Sequence, residues 1–152
     1  MQGIEVNVRE RVLKSKGEVF AAITDPSKMS TYFTSAASGP MRSGATVAWE
    51  FADVGAKLSV DVVDVDEGSG LIVFDWSAAG PKARVTIRVT ADDATTTTVA
   101  IKEAAFAPDD EGVKQAMGQT AGWTHFLCSL KAYLHHGVSL RAGLNARITS
   151  VS

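Results

Sequence analysis

The sequence predicts an α+β domain in which an antiparallel sheet of six strands is crossed by one long C-terminal helix. Three observations carry this. Residues 45–101 hold five apolar segments with a period of two, joined by short turns. A further alternating segment opens the chain at Ile4, Val6 and Val8. Near the end, Trp123, Phe126, Leu127, Leu130, Tyr133 and Leu134 recur at steps of three and four. At roughly 100° per residue they form one apolar stripe, with Val113, Ala116 and Thr120 continuing it upstream. A helix with so large an apolar face has to bury it, and the preceding strands supply the surface.

Size and composition narrow the field. The chain has 152 residues, 45% hydrophobic and 21% charged, which suits one globular domain. A formal net charge of −2 offers no electrostatic case for nucleic acid or an anionic membrane. No apolar run has the length of a signal peptide or a membrane span, and the expected setting is a reducing cytoplasm. Cys128 is the only cysteine, so an intramolecular disulfide and a thiolate metal cluster are both excluded.

In chain order, the first strand ends before Gly17. Val19, Phe20 and Ile23, then Met29, Tyr32 and Phe33, predict two short helices separated at Thr24-Asp25-Pro26. The proline suits the first turn of the second helix, and Asp25 or Thr24 supplies its capping oxygen. Thr34 to Gly44 lack periodicity and read as a mobile loop. Val47, Trp49 and Phe51 share one face of the second strand, and Leu58, Val60 and Val62 one face of the third. Ile72, Phe74 and Trp76 follow on the fourth, Val85, Ile87 and Val89 on the fifth. The β-branched run Thr95 to Ile101 forms the sixth. Pro108-Asp109-Asp110-Glu111 then sets three acids at a helix N-terminus, where the macrodipole favours them. Gly137 suits the end of that helix, dividing a domain of residues 1–137 from a tail of residues 138–152.

This order resembles the helix-grip fold, and particular residues tighten the match. Val19-Phe20-Ala21-Ala22-Ile23-Thr24-Asp25-Pro26 is similar to the opening motif of proteins like the activator of the ninety-kilodalton heat-shock protein ATPase. Those proteins sit within the START and birch-pollen-allergen-like superfamily. Phe74-Asp75-Trp76-Ser77, the threonine-rich sixth strand and Gly122-Trp123 extend the likeness over roughly residues 4–137. The chain departs from the pattern at Tyr32-Phe33, where such sequences often carry Trp-Phe. The resemblance implies a curved sheet gripping the helix with a cavity between them, in a fold that serves carriers, cyclases, hydrolases and chaperone cofactors.

The aromatic residues are the candidates for ligand contact: Tyr32, Phe33, Trp49, Phe51, Phe74, Trp76, Trp123 and Phe126, with Leu127 and Leu130 beside them on the helix stripe. Such side chains give a ligand a large contact area, and their competing role is to fill the core. His125 and Cys128 fall on the outer side of the helix. His135 and His136 end it, where a partly protonated imidazole suits the dipole. Without a cluster of ligating residues, no metal and no cofactor is expected. Period two sends Glu50 and Asp75 away from the aromatics, so no catalytic residue is assigned. Glu103 lies just beyond the sixth strand with its direction open. Gly118 and Gly122 either weaken the start of the helix locally or leave room for close approach of a second subunit, which would make a homodimer. Three readings follow: a carrier of a small, mostly apolar molecule; an interaction module for a chaperone ATPase; and a cyclase- or hydratase-type enzyme.

Overall fold

The computed structural model describes residues 3–141. Its first strand, β1 (Ile4–Val12), leads into α1 (Lys16–Thr24) and α2 (Pro26–Tyr32). Ser15 caps α1: its Oγ accepts from the Glu18 N–H at 3.3 Å and donates to the Glu18 carboxylate at 2.9 Å. Asp25 caps α2, whose first residue is Pro26, and its carboxylate accepts from the Ser27 N–H at 2.9 Å.

A two-residue strand, β2 (Ala36–Ala37), precedes the meander β3 (Thr46–Phe51), β4 (Ala56–Asp66), β5 (Leu71–Trp76), β6 (Ala83–Asp93) and β7 (Thr96–Phe106). All pair antiparallel in the order β1-β7-β6-β5-β4-β3-β2, so the first strand lies beside the last. The sheet therefore has seven strands where the side-chain pattern predicts six. The added one sits inside the segment expected to be a loop. Backbone bonds and two flanking serines make it: Ser35 N–H donates to Glu50 O and Ser38 N–H to Ala48 O, while Ser38 Oγ accepts from the Ala48 N–H and Ser35 Oγ from the Ala52 N–H, each at 2.8 Å. It leaves no trace in hydrophobic periodicity.

The last helix, α3 (Asp110–His136), lies across the sheet face that carries Trp49, Phe74, Trp76, Val85, Ile87, Val99 and Ile101. Asp109 caps it by accepting from the Gly112 N–H at 2.8 Å, and Gly137 ends it in the left-handed conformation at φ 66°. The buried face runs through Gly112, Ala116, Trp123, Phe126, Leu127, Ser129 and Leu130. Val113 and Thr120 are exposed, so the stripe drifts round the first turns instead of continuing straight. Beyond the helix, Arg141 docks on the β3–β4 turn, donating to both oxygens of Asp53 at 2.8 Å. Residues 142–152 of the tail lie outside the described residues.

Candidate functional site

A cavity of about 300 Å³ opens between the sheet and α3. That volume falls at the lower end of the range for small-molecule sites, about 300–1,000 Å³. Its apolar wall consists of Phe33, Phe51, Val54, Ala56, Trp76, Ala78 and Trp123. Gln119, Gly122, His125 and Arg141 complete the lining.

Phe33, Phe51, Trp76 and Trp123, four of the ten candidate contact residues, line this space. Phe33 closes it from the end of α2, edge-on to Phe51 with ring centroids 5.1 Å apart. Trp76 and Trp123 lie 5.3 Å apart with their planes tilted by 31°. The other six stand behind the wall. Trp49 and Phe74 meet Trp76 edge-on at 5.8 and 5.3 Å, and Phe126 meets Phe33 edge-on at 4.7 Å. Tyr32 donates to the Ala22 carbonyl at 2.9 Å and stacks on Tyr133 at 5.1 Å. Burial pushes its phenol well above the ordinary range. Leu127 and Leu130 are buried in the helix–sheet seam.

A carboxylate anchors the wall. Glu103 lies within β7, which continues beyond the predicted end at Ile101, and its side chain is fully buried. One oxygen accepts from the Trp123 indole N–H at 2.8 Å and from the Gln119 amide at 3.0 Å. The other accepts from the Trp76 indole N–H at 3.0 Å. Three N–H groups from β5 and α3 thus offset the desolvation of one acid, and both rings are fixed in orientation. The signal lay in the sequence: Val99, Ile101 and Glu103 are two apart, and the same face continues through all three.

Two histidines differ from expectation. His125 is half-buried and lines the cavity, with its Nε2 buried and unpaired. At the helix end, His135 Nε2 accepts from the Leu13 N–H at 2.9 Å. That bond needs a neutral ring, and burial together with Lys131 holds its pKa below 6.5. A protonated cap at this position is therefore replaced by a neutral acceptor.

At the mouth, the Arg141 guanidinium lies 5.2 Å from the centre of the Phe51 ring while paired to Asp53. Hydrogen bonds from Arg141 hold the Asp53 carboxyl below its ordinary value. Glu50 and Asp75 face outward and pair with Lys57 and Arg84. Cys128 is exposed. Among the described residues no cluster of three metal-ligating side chains occurs, and no helix is long and apolar enough to cross a membrane.

An antiparallel sheet gripping a long helix, with an aromatic-lined cavity between them, defines the helix-grip class of α+β domains. Residues 15–135 match the family described as Activator of Hsp90 ATPase homolog 1-like protein, and the chain belongs to that family. Among solved structures it is similar to the protein SSP2350 from Staphylococcus saprophyticus, at 31% identity and a TM-score of 0.79, covering 91% of this chain and 96% of that one. It is also similar to DynU16, a putative protein in the dynemicin biosynthetic locus, at 28% identity and a TM-score of 0.77, covering 88% of this chain and 48% of that one. The Aha1 dimer from Colwellia psychrerythraea shares the fold at 17% identity and a TM-score of 0.73, covering 88% and 98%. No curated protein matches the chain.

Proposed function

We propose that the protein binds a small, mostly apolar molecule in the cavity between the sheet and α3, within a ligand-binding domain of residues 1–137. The single observation that carries this is the aromatic cavity of about 300 Å³, kept open beside two indole rings pinned by one buried carboxylate. Phe33, Phe51, Trp76 and Trp123 supply the contact area, while Gln119 and His125 offer polar groups for one oriented hydrogen bond. Tyr32, Trp49, Phe74, Phe126, Leu127 and Leu130 hold those contact residues in place. The buried carboxylate does not make this an acid–base site, because both Glu103 oxygens are already engaged by structural donors.

The test uses the neutral fluorescent probe N-phenylnaphthylamine. It should bind saturably and raise the unfolding temperature. Gly122 lines the cavity and a Cβ placed on it would meet no atom within 4 Å, so Gly122→Leu adds an apolar side chain at the cavity wall from a backbone position that accepts a Cβ. The expected result is loss of probe binding with stability retained. Undiminished binding to the Gly122→Leu variant would sink the proposal. A stimulated ATP turnover of a chaperone, with no probe binding, would favour the interaction-module reading instead.

A further inference from the structure

The opposite face of the sheet holds a second concavity, of about 480 Å³, which the proposed apolar site does not use. Strand register builds it. Arg9 on β1 and Arg88 on β6 both pair with Ala100 on the intervening β7, which places the two arginines on either side of that alanine. In the next row, Asn7 and Thr86 flank Lys102 in the same way. Adjacent strands are about 5 Å apart, so the two arginine backbones stand about 10 Å apart over a floor made by one methyl group. Side chains of that length can converge on a single small group between them.

Charge distinguishes this patch from the rest of the face. Arg84 is paired with Asp75, Lys82 with Asp61 and Arg11 with Asp92. Lys102 has Glu5 at 3.4 Å on one side. Among the ion pairs of the described residues, neither Arg9 nor Arg88 has an acidic partner. No carboxylate lines the concavity, while the Asn7 amide and Thr86 hydroxyl add hydrogen-bonding groups to the three cations. Cations of one sign gathered in a concave site raise the local concentration of anions, even on a chain whose net charge is −2.

We propose that this concavity binds a phosphorylated small molecule, its phosphate or diphosphate held between Arg9 and Arg88 above Ala100 and contacted by Lys102. A flat carboxylate presents one edge and satisfies one guanidinium fork. A tetrahedral phosphate presents oxygens to both sides at once, which suits two forks facing each other. The site lies on the outer face, so its occupation does not compete with the apolar probe.

Inorganic diphosphate, titrated at low salt into the ¹⁵N-labelled full chain, provides the test. The expected result is saturable shifts centred on the Ala100 and Lys102 amides and on the Arg9 and Arg88 Nε–H signals, weakening as salt is added. Arg9→Gln and Arg88→Gln should each weaken binding about tenfold or more, and Arg84→Gln, an exposed arginine on the same face, should not. Circular dichroism confirms that each variant remains folded. Shifts spread evenly over all surface cations, or unaltered affinity in Arg9→Gln and Arg88→Gln, would overturn the site. Vesicles of phosphatidylcholine containing phosphatidic acid form the second arm. Sedimentation with them, lost in the same two variants and without any response to diphosphate, would overturn the assignment to a free ligand.

Discussion

Replacing Glu103 probes how the cavity wall is held. Glu103→Met keeps most of the side-chain volume and removes both acceptor oxygens. The Trp76 and Trp123 indole N–H groups then lose the partners they hold at 3.0 and 2.8 Å, inside a region where Trp123 is 3% exposed. A buried donor left unpaired costs about 1–3 kcal/mol. Two such donors, less the gain from no longer burying a carboxylate, predict a loss of about 2–4 kcal/mol. Gln119 is half-exposed and can turn its amide toward water. Glu103→Gln keeps one acceptor and sets an NH₂ against the other donors, so its loss should be smaller, about 1–2 kcal/mol. Urea unfolding followed by circular dichroism measures both. The three tryptophans provide an internal control, because the Trp49 indole nitrogen has no partner. In proton NMR the two bonded indole N–H signals should move furthest in either variant, and that of Trp49, which only packs against Trp76, should move less. A loss below about 0.5 kcal/mol for Glu103→Met, or unmoved Trp76 and Trp123 indole signals, would refute the anchoring role.

Other perturbations give simpler readings. Gly118 and Gly122 interrupt a helix where an added Cβ meets nothing, so Gly118→Ala and Gly122→Ala should each stabilise by about 0.5–1 kcal/mol in urea unfolding. Only Gly122→Ala should also weaken N-phenylnaphthylamine, because only Gly122 lines the cavity. Arg141→Ala removes the clasp at the mouth and should speed probe dissociation, measured by stopped-flow fluorescence, with a stability loss of about 1 kcal/mol. Because Asp53 titrates below its ordinary 3.8, the clasp contributes fully above that pH and is lost as pH falls through the lowered folded value. The neutral His135 contributes stability that is complete above pH 6.5 and declines as pH falls from there toward its lower folded pKa. His135→Gln, which cannot titrate, should flatten that part of the stability-versus-pH curve.

The sheet was legible wherever one face meets the core and the other meets water. Val85, Ile87 and Val89 alternate with exposed or half-exposed neighbours, and burial follows the pattern residue by residue. The pattern failed where backbone bonds or a polar residue carried the structure. The strand at Ala36–Ala37 exists through main-chain pairing and the hydroxyls of Ser35 and Ser38 on either side of it, none of which shows in apolar periodicity. Strand β7 runs on past Ile101, where the β-branched run ends, and Glu103 continues the same inward face although it is an acid. His125 lies between the buried and exposed sides of α3, where helical periodicity decides least. Arg141 reaches Asp53 across 88 positions of sequence, and nothing local to either residue encodes that pair.

An apolar cavity in a core this rich in aromatics is unstable to collapse, because each ring gains contacts by rotating into the space. Trp76 and Trp123 cannot rotate without giving up buried hydrogen bonds to Glu103, and those bonds are strongest when the acceptor is charged. The anchor thus does for the cavity what further packing could not: it opposes closure from behind the wall. A double-mutant cycle separates this from packing. Trp76→Phe keeps an aromatic ring and deletes the N–H, so in that background Glu103→Gln has one donor fewer to leave unpaired. The cycle should show a coupling of about 1 kcal/mol in stability. N-phenylnaphthylamine affinity should fall in Glu103→Gln although residue 103 does not line the cavity. Additive stabilities and an unchanged affinity would mean that the rings stay in place by packing alone, and that the carboxylate is only tolerated.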